Sequence, residues 1–156
     1  MKELILKIAV TEFDNLNELN SLEYELLNKA IKAAGNAYSP YSNFKVGSAL
    51  LLHDNRVVTG NNQENAAFPA GICAEQVALS NWGANFSHLS IKLMVVVALK
   101  NEKLTDEVIT PCGECRQVMA EVAMRNGDFP LILAGKNRIL KFEKSVDLLP
   151  LSFMNK

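Results

Sequence analysis

Three cysteines constrain this chain more than any other feature. They are all it has, and they fall in two short runs, Cys73-Ala74-Glu75 and Pro111-Cys112-Gly113-Glu114-Cys115. Three cysteines cannot all pair within one chain, and a reducing compartment disfavours pairing. That leaves inert core thiols or thiolates on a metal. Cys112 and Cys115 are three apart where a helix is predicted to begin, so both sulfurs share a face. A helix N-terminus offers unpaired amides and a positive dipole end, which favour thiolate over thiol. Cys73 opens a second predicted helix, so two dipoles can point at one cation. Thiolates bind zinc at about 2.3 Å, and three protein ligands leave a fourth position open, as in catalytic rather than structural zinc sites.

Taken singly, each residue has a plainer reading. Cys73 alone is a small core side chain, a lone Cys-x-x-Cys is often structural, and Glu75 is an ordinary first-turn carboxylate. The two runs together favour the metal. Glu75 lies two positions after Cys73 and does not share its helical face, so it is poorly placed as a ligand. It is better placed to reach a bound water or a substrate and move protons between them. His53, beside a turn, and His88, in a loop, are expected at the surface.

The length of 156 residues fits one domain spanning 1–156, with residues 1–20 as an N-terminal extension. A net charge of -1 with scattered Lys and Arg excludes a dedicated nucleic-acid binder. No apolar run approaches the roughly 18–20 residues that span a bilayer. The start, Met1-Lys2-Glu3-Leu4, carries early charge rather than a signal peptide's apolar core, so a cytoplasmic protein is expected.

Residues 4–10 are β-prone and predict an edge strand, followed by a polar linker. Asn20 and Glu23 have capping-box spacing, and Leu22, Leu26, Leu27, Ala30, Ile31, Ala34 and Ala37 recur at helical intervals until Ser39-Pro40. Residues 44–52 and 56–59 form a hairpin around Asp54-Asn55. A helix is expected over 73–82, ending near Gly83, and a buried strand over 91–99. A polar loop runs from 100 to 110. A helix over 112–125 begins with Pro111, and short strands follow at 131–134 and 139–142. The apolar tail from Leu148 to Phe153 is not expected to hang in water. Helices alternating with strands predict a layered α/β domain with a mixed, mostly five-stranded sheet.

From about Tyr38 to Phe153 the sequence resembles the small homotetrameric zinc-dependent cytidine deaminases. The resemblance rests on Tyr41-Ser42-Asn43-Phe44-Lys45-Val46-Gly47, Asn62-Gln63-Glu64-Asn65-Ala66-Ala67-Phe68, Gly71-Ile72-Cys73-Ala74-Glu75, Pro111-Cys112-Gly113-Glu114-Cys115-Arg116-Gln117 and Leu148-Leu149-Pro150. It implies a three-layer α-β-α fold with helices on both faces of the sheet. It also implies hydrolytic deamination of cytidine and deoxycytidine to the uridine products plus ammonia by a zinc-bound hydroxide, in pyrimidine salvage. By this likeness one zinc per chain sits on Cys73, Cys112 and Cys115, and Glu75 is the proton shuttle. Asn62 and Glu64 hold the ribose hydroxyls, Asn65 and Ala66 lie at the substrate, and Phe44 packs on the pyrimidine. Phe68 and Phe153 are lent to a neighbouring subunit's site in a homotetramer.

Three positions depart from the family pattern. Gln76 stands where an arginine usually follows Cys-Ala-Glu and would offset thiolate charge; without it either the bound water is less acidic, or Arg116 and the helix dipoles suffice. Lys45 replaces a common proline, and Phe68 replaces a tyrosine found in many members. Two rivals remain: a deaminase of another aminated heterocycle, such as a blasticidin S-like antibiotic, and a non-catalytic zinc protein that holds nucleosides.

Overall fold

The computed structural model describes residues 1–154. Seven strands and three helices run in the order β1 (Thr11–Phe13), α1 (Ser21–Gly35), β2 (Phe44–Leu52), β3 (Val57–Asn61), α2 (Ala74–Asn85), β4 (Ile91–Lys100), β5 (Lys103–Leu104), α3 (Gly113–Asn126), β6 (Leu131–Ala134) and β7 (Ile139–Phe142). The strands form one sheet in the order β1-β7-β6-β4-β2-β3, with β5 also paired to β4. Only β4 and β6 run parallel, and the connection between them carries α3, as a parallel pair requires.

Alternation along the strands sends two sets of side chains to opposite faces. Ala49, Leu51, Val95 and Val97 pack with Leu26, Leu27, Ala30 and Ala34 of α1. Leu50, Leu52, Met94 and Val96 pack with Ala78, Leu79 and Trp82 of α2 and Met119 and Val122 of α3. Close approach needs glycine at two strand positions. A Cβ on Gly47 would lie 2.1 Å from the Ala30 carbonyl oxygen of α1, and one on Gly60 would lie 2.4 Å from the Ala74 oxygen and the Ala78 nitrogen of α2. Trp82, the largest fully buried side chain, donates its indole N–H to Leu89 O at 2.8 Å.

Helix α1 starts as its sequence predicts. Glu23 N donates to Asn20 Oδ1 and Asn20 N to Glu23 Oε2, each at 3.0 Å, while Lys141 Nζ approaches the other Glu23 oxygen at 3.1 Å. It ends at Gly35, before Ser39-Pro40. The turn at Asp54-Asn55 forms with Asn55 at φ 69°.

Several expectations are corrected. The sheet has seven strands, not five, the additional two being β1 and β5. The edge strand is Thr11–Phe13 rather than residues 4–10, and it pairs antiparallel with β7. Its position is set by a distant partner, since Arg138 grips Glu12 through two hydrogen bonds of 2.7 and 3.1 Å. The preceding Leu4, Ile5, Leu6, Ile8 and Val10 are exposed and unpaired. Helix α2 continues through Gly83 to Asn85, because helix tolerates a glycine whose surroundings stay open. The supposed loop after β4 holds a tight hairpin, with Asn101 and Glu102 at positive φ. Pro111 precedes the α3 N-cap rather than opening the helix. In the tail Leu148 is buried, but Leu151 and Phe153 are exposed.

Candidate metal and nucleoside site

Cys73 is the N-cap of α2 and Cys112 is the N-cap of α3, so both helix starts deliver a sulfur to one place. Cys115, one turn into α3, is buried. The three Sγ atoms lie within 4.8 Å of one another, and those of Cys112 and Cys115 are 3.5 Å apart. Sulfurs at about 2.3 Å from one tetrahedral ion sit roughly 3.8 Å apart, so the trio fits zinc. Cys112 Sγ also accepts from the Cys115 backbone N–H at 3.5 Å, as the side-chain cap of α3. Hydrogen bonding, chiefly from Cys115, holds the Cys73 thiol down to about 7, while the same bond pushes Cys115 well above the usual thiol range. The two titrate as a shared system.

Glu75 is 5% exposed at the start of α2. Burial raises its carboxyl above the usual carboxylate range, against smaller opposing hydrogen bonds from its own backbone and from Cys115. The last of these places the carboxyl beside the sulfur cluster. A carboxyl that holds its proton more tightly than in water is better suited to take one and give it back.

Gln76, the departure from the family pattern, aims its amide nitrogen at Cys115 Sγ at 4.0 Å. It supplies a neutral donor where an arginine would supply a charge. Arg116 donates to Pro111 O at 2.8 Å, Leu148 O at 3.1 Å and Thr110 Oγ1 at 3.3 Å, fixing the loop before α3 to the chain's C-terminal segment. His53 and His88 are exposed.

The residues that the family resemblance assigns to the sugar lie on the segment after β3. The Asn62 side chain bridges two backbone groups of β2, accepting from Val46 N at 2.7 Å and donating to Phe44 O at 2.9 Å. Glu64 accepts from Tyr41 N at 2.9 Å, Ser42 N at 3.3 Å and the Ser42 hydroxyl. These bonds, with the hydroxyl first, hold its carboxyl below the usual range. Asn65 Oδ1 accepts from Ala67 N in a tight turn, and Ala66 is exposed. Phe68 is 75% exposed, its ring edge-on to Tyr41 at 5.7 Å. A cleft of about 320 Å³ is bounded by Tyr41, Ser42, Glu64, Asn65, Phe68 and Gly71. Phe153, 79% exposed, has its carbonyl held by Gln117 Nε2 at 2.7 Å. It borders a larger groove of about 670 Å³ between α2 and α3, away from the cysteines.

Sequence reasoning missed Ser42 as a contact of Glu64. Its only signal was membership of the Tyr41–Gly47 segment, because the partners are 22 residues apart.

Residues 20–127 match the family model for the cytidine and deoxycytidylate deaminase zinc-binding region. The chain belongs to this deaminase family. It is 44% identical over 97 residues to a cytidine deaminase of Halalkalibacterium halodurans, covering 62% of this chain and 69% of that protein. It is 36% identical over 129 residues to one of Sporosarcina psychrophila, covering 83% and 89%. The 1.6 Å crystal structure of cytidine deaminase from Burkholderia pseudomallei superposes with a TM-score of 0.67 at 33% identity, covering 83% of this chain and 98% of that one. Among the described residues no helix is long and apolar enough to cross a membrane.

Proposed function

We propose that this chain is a zinc-dependent cytidine deaminase that hydrolyses cytidine and deoxycytidine to uridine and deoxyuridine plus ammonia. The observation that carries the reading is the convergence of three sulfurs from two helix N-termini beside a buried glutamate, in a chain of the deaminase family.

Cys73, Cys112 and Cys115 would hold the zinc. When bound, zinc supplies Lewis acidity that makes water nucleophilic near neutral pH. Glu75 removes a proton from the attacking water as oxygen adds to C4 of the pyrimidine. It passes that proton to the ring nitrogen, then takes the proton of the new C4 hydroxyl and gives it to the amine, so the C4–N bond breaks, C4=O forms and the amine leaves as ammonia. Its raised pKa matches this two-way traffic. Gln76 offers Cys115 a neutral hydrogen-bond donor and so spreads sulfur charge without adding a cation.

Phe44, half-buried at the start of β2, packs on the base, and Glu64 and Asn62 address the ribose hydroxyls. The Asn62 bridge to β2 means that sugar binding and the placing of Phe44 share one side chain. Asn65 and Ala66 shape the turn that holds Glu64 at the cleft. Exposed Phe68 and Phe153, the latter at an apolar groove, are the surfaces a homotetramer would cover, each side chain completing a neighbour's site. We infer a cytoplasmic role in the salvage of free nucleosides.

The test is the absorbance of cytidine over time with zinc-loaded protein. Fast loss of the cytidine spectrum is expected. Glu75→Gln should keep the fold and one zinc per chain while cutting the rate by about 10²–10⁴-fold or more, the span of general acid–base catalysis. A near-normal rate in that variant would refute the shuttle. Inertness toward cytidine with turnover of another aminated heterocycle would replace the substrate.

A further inference from the structure

One side chain joins the proposed sugar carboxylate to the strand that carries the base-packing ring. The Ser42 hydroxyl donates to Glu64 Oε1 and accepts from Phe44 N at 3.0 Å. The Ser42 and Tyr41 backbone N–H groups donate to Glu64 Oε2 at 3.3 and 2.9 Å.

These bonds leave few free orientations. A hydroxyl has one donor and two acceptor sites. With the donor on Glu64 and one acceptor site on Phe44, the Ser42 hydroxyl cannot turn away without breaking a bond. A carboxylate offers about four acceptor sites, and residues 41 and 42 occupy three. What remains is a single direction of approach, beside the cleft lined by Tyr41, Ser42, Glu64, Asn65, Phe68 and Gly71.

We propose that Ser42 is a positioning residue for the nucleoside sugar. It acts through Glu64, turning the last free acceptor site toward the cleft. The bond from Phe44 N holds the hydroxyl in that orientation. The inference rests on the reading of Glu64 as the sugar-binding group. It suits a substrate whose sugar carries ring hydroxyls, because the remaining acceptor site takes a hydrogen-bond donor.

The experiment compares cytidine with 2′,3′-dideoxycytidine, which lacks both hydroxyls, in the zinc-loaded wild type and in Ser42→Ala, Ser42→Thr and Glu64→Gln. Losing a hydrogen bond to a charged group corresponds to roughly 10–100-fold in binding. Ser42→Ala should raise KM for cytidine by about that factor, with kcat within about threefold, the signature of lost uniform binding. KM for the dideoxy substrate should match wild type, and Ser42→Thr, which restores the hydroxyl, should restore KM for cytidine. A loop merely loosened by the substitution would raise KM for both substrates alike, which overturns the inference. If Glu64→Gln raises KM for cytidine but Ser42→Ala does not, the positioning role alone is overturned. If Glu64→Gln leaves KM unchanged, the sugar reading falls and this inference with it.

Discussion

Replacing Gly60 by alanine puts one methyl group between β3 and the first turns of α2. The added carbon would lie 2.4 Å from both Ala74 O and Ala78 N. Ordinary contact begins at 3.4 Å, so the helix and strand must part by about 1 Å. Both obstacles are backbone, and neither can swing aside as a flexible side chain would. The helix moves as a body, and Ala74 lies between Cys73 and Glu75. Overpacking of this kind costs about 1–3 kcal/mol. At this size that lowers Tm by roughly 2–12 °C. The functional loss should be larger, because metal–ligand distances hold to about ±0.2 Å and a 1 Å misplacement can cost about 10²-fold in rate. Thermal melts, a chelator competition for zinc and cytidine turnover read the three effects. Gly83→Ala is the control on the same helix. A Cβ there meets nothing within 4 Å, so the variant should gain up to about 1 kcal/mol. A Gly60→Ala protein that melts, holds zinc and turns over like wild type would refute the seating of α2 on β3 and the placing of Cys73 through it.

Asn62→Ala removes both the proposed sugar contact and the bridge between Val46 N and Phe44 O, so it should raise KM for cytidine and also lower stability by about 1–3 kcal/mol, read in denaturant melts. Lys141→Met strips the buried Glu23 carboxylate of its ammonium partner. The loss should be about 1–3 kcal/mol, between the values for exposed and fully buried pairs. The hydrogen bond from Lys141 to Glu23 raises the lysine pKa above its unfolded value of 10.5. The wild-type advantage is therefore fully present below that value and disappears as pH rises through the folded pKa, which urea melts from pH 7 to 12 would trace. An advantage that grows above pH 10.5 would contradict this.

The parts read correctly from sequence are those whose determinants are local. Asn20 and Glu23 cap α1 across three residues, Asn55 takes the positive φ of its turn, and Cys112 and Cys115 meet across one helical turn. The cysteine pattern also crosses a longer gap, since Cys73 reaches the other two through two helix starts whose motifs are each recognisable. What was misread depends on distant partners. Residues 4–10 alternate well enough for a strand, but the pairing energy lies where Glu12 can reach Arg138 and Thr11 can face Lys141. The β4–β5 hairpin turns on Asn101-Glu102, and glutamate at positive φ is no ordinary turn signal. The contacts of Asn62 and Ser42 were invisible for the same reason. An exposed serine gives no hint that it is bonded to a glutamate 22 residues later.

The two helix ends reach the cysteine cluster at different times in the life of the chain. Thirty-nine residues separate Cys73 from Cys112, so at about 5–20 residues per second Cys73 leaves the ribosome roughly 2–8 s earlier. During that interval it is a solitary thiol. Cys112 and Cys115 emerge together and meet within one helical turn, closing a far shorter loop. No two-sulfur grip exists until Cys112 and Cys115 are out, whereas β3 and α2, which seat Cys73 over Gly60, are by then already made. The metal site can close only with the last of its three elements.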